Sequence, residues 1–315
     1  MRIVVAIGGN ALIAAGEDGT WETQLGHART VAEEVVALRA AGHELVLTHG
    51  NGPQVGALAL QQESAELPQL PLDALTAMTQ GQIGYLLETA IGQVDTTVPT
   101  ATLLTRVLVD PDDPAFASPT KPVGPFYDGE RARALALERG WAMADDAGRG
   151  WRRMVPSPRP RAVLGAGHVR ALLERGAVVI AGGGGGIPVA GDLAGVAGVV
   201  DKDRCSAELA LAIGADLLVL CTGVPRVALD YGTRWERELA AITVADAERA
   251  LAAGEFPPGS MGPKVESAGH FVEAGGGRAV ITAPGRLRAA VEGEDGTLVV
   301  RDRGEIVPPH EAAPA

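Results

Sequence analysis

Short apolar runs alternate with stretches of helical periodicity along most of this 315-residue chain. Short apolar runs that end in glycine or a polar turn are typical of buried β-strands. Such runs predict strands at residues 3–7, 44–48, 103–109, 177–181, 216–221 and 278–282. Strands that alternate with helices are typical of crossover units in a largely parallel sheet. The pattern therefore predicts an α/β fold.

Helical spacing of apolar residues fills the intervals between these runs. One helix is predicted around Val31 and Leu38, with its end at Gly42. The other predicted helices span residues 72–93, 130–139, 168–175, 207–213, 244–253 and 263–274. The apolar residues 196–200 continue the alternation, and a short helix and strand follow the last run. Residues 308–315 form a tail that we expect to fray.

Residues 110–160 interrupt the alternation. Residues 110–125 are rich in proline and aspartate, and residues 155–160 form a second proline-rich run after the short helix at 130–139. Proline restricts both its own backbone and that of the preceding residue, so neither run continues a helix or a central strand. We therefore predict that this segment is an excursion from the main sheet.

Glycine-rich loops directly follow three of the predicted strands, at residues 8–10, 49–53 and 182–186. In an open parallel sheet, ligands bind beyond the carboxyl ends of the strands, so we expect these loops to converge on one face. Glycine lets a backbone approach an anion closely, and the start of a helix presents free N–H groups to it. The chain has neither the dinucleotide-binding fingerprint nor the Walker A spacing.

Two of these loops have alternative interpretations. The five consecutive glycines at 182–186 could be a flexible linker, but the apolar sequence on both sides favours a loop that faces a ligand. His49 could be a catalytic base, or it could anchor its loop through hydrogen bonds, and its setting favours positioning. The six histidines are scattered without ligand spacing, which argues against a bound transition metal.

Lysine is scarce, because the chain has three lysines and twenty-four arginines. Lys121, Lys202 and Lys264 each lie in a segment marked by glycine, proline or aspartate, and we predict that all three lie in loops. A lysine ammonium can turn onto a single phosphate oxygen, whereas arginine presents a flat fork. The three lysines could be ordinary solvated residues. Their settings favour contact with a phosphoryl group.

Phosphoryl transfer requires positive charge that offsets the repulsion between its reactants. A hydroxyl acceptor benefits from a carboxylate base, whereas an acceptor that is already an anion needs none. The predicted loops carry lysine, glycine and amide groups with no obvious base. This composition favours an acid-type acceptor.

The overall composition limits the classes of function. With 46% hydrophobic residues, the chain can bury a large core, and its net charge of −12 and pI near 5.0 argue against a nucleic-acid partner. Cys205 and Cys221 are too few for a disulfide scaffold, so we predict buried thiols in a reducing compartment. No segment is predicted to be a signal peptide or a membrane span, and we expect a cytoplasmic protein without a membrane partner.

Nine motifs resemble those of the carbamate kinases, in the amino acid kinase superfamily, over nearly the whole chain. The motifs are AIGGNAL at 6–12, THGNGPQVG at 48–56, MTQGQIGY at 78–85, PTKPVGPF at 119–126, DAGRGWR at 146–152, VPSP at 155–158, GGGGGIPV at 182–189, VDKD at 200–203 and GSMGPK at 259–264.

The resemblance implies a three-layer αβα sandwich with a mostly parallel central sheet and a small protruding subdomain, in a homodimer. It implies reversible phosphoryl transfer in which ATP and carbamate give ADP and carbamoyl phosphate, with Mg²⁺ on the nucleotide. Residues 1–315 would form a single domain. Within it, residues 1–110 and 156–176 would form the acceptor lobe, 111–155 a lid and 177–315 the nucleotide lobe.

The resemblance also implies roles for individual residues. Lys121, Lys202 and Lys264 would be catalytic, and Asp203 would orient the lysines. The residues implied at the carbamate are Gly8, Gly9, Asn10, His49, Gly50, Asn51 and Gly52. Those implied at the nucleotide are Gly183, Gly184, Thr222, Tyr231, Gly259, Ser260 and Met261. No side chain is implied as a dedicated metal ligand.

Two other functions stay open. The chain could be another small-acid kinase of the superfamily, but relatives that act on amino-acid carboxylates usually carry a lysine in the first strand or its loop. This chain has Arg2 and no lysine there. It could instead be a nucleotide-binding regulatory protein without turnover. The presence of all three lysines and Asp203 argues against that function.

Overall fold

The computed structural model describes residues 1–8, 11–13, 16–64, 68–146, 148, 150–257, 259–302 and 304. The helices in these ranges are α1 (Trp21–Ala40), α2 (Gly52–Ser64), α3 (Leu72–Val94), α4 (Gly129–Arg139), α5 (Ala166–Leu173), α6 (Lys202–Ile213), α7 (Val244–Ala252), α8 (Met261–Glu273) and α9 (Leu287–Glu292). The strands are β1 (Arg2–Ile7), β2 (Glu44–His49), β3 (Thr100–Thr102), β4 (Arg106–Val109), β5 (Lys121–Tyr127), β6 (Ala142–Asp145), β7 (Trp151–Val155), β8 (Pro160–Val163), β9 (Val178–Ile180), β10 (Ile187–Val189), β11 (Leu217–Cys221), β12 (Val227–Leu229), β13 (Arg237–Leu239), β14 (Ala241–Thr243), β15 (Arg278–Thr282) and β16 (Thr297–Val300).

An eight-stranded sheet forms the centre of the protein, in the order β14-β16-β15-β11-β1-β2-β9-β3. The six strands from β15 to β3 run parallel, whereas β16 pairs antiparallel with β15 and parallel with β14. In the centre, Val5 of β1 pairs with Leu47 of β2 and with Val219 of β11. The mostly parallel sheet predicted from the apolar runs is confirmed.

Helices cover both faces of this sheet. On one face, side chains such as Val4 and Leu218 pack against α5, α6, α7 and α8. On the other face, their neighbours Val5 and Val219 pack against α1, α3 and α9. Strands buried on both faces are apolar along their whole length, which explains why they appear in the sequence as continuous runs. The predicted three-layer αβα fold is confirmed.

A separate antiparallel sheet, in the order β5-β7-β6, lies within the excursion predicted from residues 110–160. Its helix α4 begins where the Asp128 side chain accepts a 2.8 Å hydrogen bond from the amide of Arg131. Lys121 at the start of β5 pairs with Val155 at the end of β7, so the chain enters and leaves this sheet at one place. We call β5, β6, β7 and α4 the small sheet unit.

The structure corrects three predictions of secondary structure. Only residues 106–109 of the predicted strand at 103–109 form a strand, β4, and it lies in a different sheet from β3, which ends at Thr102. The chain breaks between them because the Gln80 side chain bonds both the amide of Thr105, at 2.7 Å, and its carbonyl oxygen, at 3.2 Å. The apolar residues 196–200 form no strand; instead the amide of Val199 bonds the carbonyl oxygen of Pro156 at 2.9 Å. Helix α6 begins five residues before the predicted start at residue 207.

Helix α2, the strands β8 and β10 that flank β4, and the hairpin of β12 and β13 were not predicted. These elements are short or follow glycine, so their apolar patterns are weak. The predicted frayed tail lies outside the described residues. None of the helices in the described ranges is long and apolar enough to cross a membrane.

Candidate active site

The loops after the central strands meet at the carboxyl edge of the sheet. The amide of Gly50, after β2, bonds the carbonyl oxygen of Ile7 in β1 at 3.0 Å. A Cβ on Gly8 would lie 3.4 Å from the carbonyl oxygen of Cys221, the last residue of β11. The convergence of the glycine loops on one face is therefore confirmed for the described residues, whereas Gly9 and Asn10 lie outside them.

A cleft of about 220 Å³ opens at this edge, and all three lysines of the chain line it. Its lining comes from the loop after β2, the start of the small sheet unit, the glycine run and the starts of α6 and α8. The lining residues predicted at the site are Lys121, Lys202, Lys264, Asp203, Gly50, Asn51, Gly52, Gly184, Gly259 and Ser260.

Asp203 lies between two of the lysines. One carboxylate oxygen accepts a hydrogen bond from Lys202, and the other accepts one from Lys264 at 3.2 Å. Asp203 is 3% exposed and Lys264 is 9% exposed, so the group is held away from water. Burial lowers the pKa of Lys264, the charge of Lys202 lowers it further, and Asp203 opposes both effects. One carboxylate thus holds two neighbouring ammonium groups in fixed positions.

Asp201 binds the third lysine. Its Oδ2 accepts a 2.8 Å hydrogen bond from Lys121 Nζ, and its Oδ1 accepts from the amides of Asp203 at 2.9 Å and Arg204 at 3.4 Å. Burial alone would raise the pKa of Asp201, but the charge and hydrogen bond of Lys121, with help from Lys202 and the Asp203 amide, lower it to about 2. Asp201 is therefore ionised at neutral pH and caps α6.

The three lysines lie in regular elements, which corrects the prediction that they lie in loops. Lys121 is the first residue of β5, Lys202 is the first residue of α6, and Lys264 is the fourth residue of α8. The start of α6 is fixed by its Asp201 cap, a position that aspartate favours strongly. The starts of α6 and α8 both line the cleft, and the positive end of a helix dipole favours a bound anion.

The five-glycine run packs tightly against the loop after β2. A Cβ on Gly183 would overlap the ring of His49, and a Cβ on Gly184, whose φ is +65°, would overlap the amide of Asn51. The side chain of Gln80 donates a 2.8 Å hydrogen bond to the Gly183 carbonyl. Only glycine allows this approach, so the run is a packed loop beside the cleft and not a linker.

His49 is 1% exposed and lies behind the glycine run. Its Nδ1 bonds the Gly50 carbonyl oxygen at 3.1 Å, and since a carbonyl only accepts, Nδ1 carries the hydrogen. Burial lowers the pKa of His49 to about 4; the charge of Lys202 also lowers it, and the bond to Gly50 opposes the change. A neutral, buried ring held by its own loop fits the predicted positioning role.

Three further residues predicted at the nucleotide do not line the cleft. Thr222 follows β11, and its amide bonds the Thr282 carbonyl oxygen at 2.8 Å. Tyr231 is 60% exposed in the connection between β12 and β13. Met261 is the first residue of α8 and is half-buried. Their assignment to the nucleotide stays a prediction.

Sequence reasoning missed three residues that hold the site together. Asp201 lies in the VDKD motif but is given no role by the sequence, although an aspartate before a helical run is a capping signal. Thr79 and Gln80 lie on the buried face of α3, and Thr79 Oγ1 accepts a 2.9 Å hydrogen bond from the side-chain Nδ2 of Asn51. Buried polar residues on an otherwise apolar helix face were the available signal.

Across the described ranges, no cluster of three or more histidine, cysteine or carboxylate side chains could hold a metal ion.

The chain is similar to proteins of known family along nearly its whole length. The Amino acid kinase family matches residues 1–283. A carbamate kinase of Thermococcus kodakarensis is 46% identical over 313 residues, which cover 96% of this chain and 99% of the relative. A carbamate kinase of Rhizobium meliloti is 48% identical over 315 residues, which cover 97% of this chain and 95% of the relative.

The fold is similar to that of a solved relative. A carbamate kinase from Giardia lamblia bound to AMP-PNP superposes with a TM-score of 0.88 at 38% sequence identity, covering 96% of this chain and 98% of the other. Sequence and fold agree in indicating a phosphotransferase. The chain therefore belongs to the amino acid kinase family and, within it, to the carbamate kinases.

Proposed function

We propose that this protein transfers a phosphoryl group reversibly between ATP and carbamate, giving ADP and carbamoyl phosphate. The observation that carries the proposal is the cleft in which three ammonium groups meet and both neighbouring carboxylates, Asp201 and Asp203, are bound to lysines. The described residues of this cleft offer positive charge without a free carboxylate base. It fits an acceptor that is already an anion, as carbamate is at neutral pH.

In this mechanism a carbamate oxygen attacks the terminal phosphorus of ATP in line with the leaving ADP oxygen. One P–O bond forms and one breaks, and no proton has to move. Lys202 and Lys264 offset the charge on the transferring phosphoryl and on the nucleotide phosphates, while Lys121 covers the acceptor. The loops at Gly8 and at Gly50 to Gly52 border the carbamate.

Magnesium enters as part of the nucleotide substrate. Asp201 and Asp203 are engaged by lysines, so the described part of the cleft offers no set of free carboxylates for an ion. Mg²⁺ commonly keeps several waters and binds through substrate phosphates with few protein ligands. The donor set fits an ion that the phosphates carry, where it would neutralise part of their charge.

The proposal divides the chain as the resemblance implies. Residues 1–110 and 156–176 hold the acceptor, residues 177–315 hold the nucleotide, and the small sheet unit within 111–155 acts as a lid. The position of Lys121 supports this division, because it is the first residue of β5 and reaches the cleft from the small sheet unit.

A coupled assay of ATP formation from carbamoyl phosphate and ADP tests the proposal. The purified protein should form ATP with saturable dependence on both substrates. In the opposite direction, ATP consumption should require carbamate, and aspartate or glutamate should not replace it. Nucleotide binding without turnover would instead favour a regulatory protein, and phosphorylation of an amino-acid carboxylate would favour the other small-acid kinases.

A further inference from the structure

A single carboxylate, that of Asp201, joins the small sheet unit to helix α6. Its two oxygens have separate partners: Oδ1 caps the helix through the amides of Asp203 and Arg204, and Oδ2 binds Lys121 at 2.8 Å. We infer that Asp201 is a positioning residue that holds the Lys121 ammonium over the acceptor side of the cleft. This inference rests on the proposed function.

The helix cap fixes the direction of the Lys121 contact. Because Oδ1 is bound to the first turn of α6, the carboxylate cannot turn freely, and Oδ2 stays directed at the small sheet unit. The same turn carries Lys202 and Asp203. The position of Lys121 is therefore set relative to the other two lysines by one rigid group, as preorganised charge stabilisation requires.

The backbone of the small sheet unit is anchored without this ion pair. Val123 and Val155 are buried in an apolar cluster with Val199, whose amide also bonds the carbonyl oxygen of Pro156 at 2.9 Å. The Lys121 side chain is different, since it is 36% exposed and no other described residue accepts a hydrogen bond from its Nζ. Loss of Asp201 should thus free the Lys121 side chain and leave the strand that carries it in place.

Removal of the negative charge of Asp201 has different expected results, depending on whether Asp201 acts only through its charge or by holding Lys121 in place. Asp201 adds a negative charge to a cleft proposed to bind two anions, so charge alone predicts that its removal tightens substrate binding. Positioning predicts a slower reaction, because Lys121 loses its place. Asp201→Asn separates the two effects, since an asparagine oxygen still caps the helix while the partner offered to Lys121 is no longer a carboxylate.

The experiment measures kcat and KM for ATP formation from carbamoyl phosphate in a double-mutant cycle. It uses wild type, Asp201→Asn, Lys121→Met and the double variant. We expect Asp201→Asn to lower kcat by about 10- to 100-fold. In the Lys121→Met background, the same change should lower kcat by no more than about twofold. Asp201→Ser, which keeps a capping oxygen but is too short to reach Lys121, should reproduce the loss.

Thermal unfolding of each variant shows that the cap and the fold are kept. Asp110→Asn is the matched control, because Asp110 pairs with Arg161 outside the cleft lining and its loss should leave kcat unchanged. The inference is overturned if Asp201→Asn keeps wild-type kcat, or if the losses from the two single variants multiply in the double variant. A wild-type protein without turnover would overturn the proposed function instead.

Discussion

Replacing Lys264 with methionine should separate catalysis from stability in this protein. Methionine has nearly the length of lysine without the charge, and Lys264 is 9% exposed with its Nζ 3.2 Å from Asp203. Two unit charges about 4 Å apart interact by about 4 kcal/mol at the effective dielectric of about 20 that suits partly buried sites. If that interaction acts mainly on the transition state, Lys264→Met lowers kcat by about 10³-fold.

The same variant should unfold at the wild-type temperature or above it. Burial and the charge of Lys202 lower the pKa of Lys264, so the folded state disfavours its protonated form. The free-energy cost of a protonated Lys264 in the folded protein is present below the pKa of this lysine in the unfolded chain, near 10.4. Methionine carries no charge, so the variant avoids this cost at neutral pH. Asp203 keeps its bond to Lys202, so the variant leaves no buried carboxylate without a partner.

The assay is ATP formation from carbamoyl phosphate and ADP, measured together with thermal unfolding. Arg159→Met is the matched control, because Arg159 binds Glu266 on the same helix but lies outside the cleft lining. The control should keep wild-type kcat. If Lys264→Met stays within about threefold of wild-type kcat, its charge does not act on the transferring phosphoryl group. A large fall in the unfolding temperature would show that the buried ammonium stabilises the fold.

Three further outcomes follow from the described residues. Because burial lowers the pKa of His49 from 6.5 to about 4, the free energy of unfolding should fall by about 3 kcal/mol as the pH drops through that interval. Denaturant titrations at several pH values should show that His49→Gln removes most of this pH dependence. Gly184→Ala should lose activity and unfold at a lower temperature, whereas Gly191→Ala, whose added methyl meets open space, should match wild type in both measurements. Burial raises the pKa of Cys205 and of Cys221 to about 12, so a thiol reagent should label neither residue until the protein is unfolded.

The inner strands of the central sheet could be predicted because they are buried on both faces and therefore appear as apolar runs, whereas the short edge strands β3 and β14 were not predicted. Other differences arise where side chains from elsewhere determine the backbone. Gln80 interrupts the predicted strand at 103–109 by bonding the backbone of Thr105. The sequence of residues 103–109 gives no indication of these hydrogen bonds. Residues 196–200 are apolar enough for a strand, but Val199 bonds Pro156 instead of a neighbouring strand.

The sequence predicts which residues line the candidate site better than it predicts the contacts between them. The scarcity of lysine singled out Lys121, Lys202 and Lys264, and all three line one cleft. The contact between Lys121 and Asp201 joins residues that are 80 positions apart, and it depends on the place where the small sheet unit leaves and rejoins the chain. Spacing along a sequence carries no information about such a contact.

Under the proposed function, the two carboxylates in the cleft hold the cations of the anion site close together and still allow its products to leave. Three ammonium groups without partners would repel each other, and burial of Lys264 would favour loss of its proton. Asp201 and Asp203 fix the three groups and leave one net positive charge among these side chains, to which the helix starts add partial charges. A larger net charge would bind substrates and products as strongly as the transition state, which slows turnover. A reversible phosphoryl transfer therefore benefits from cations that are precisely held and largely balanced.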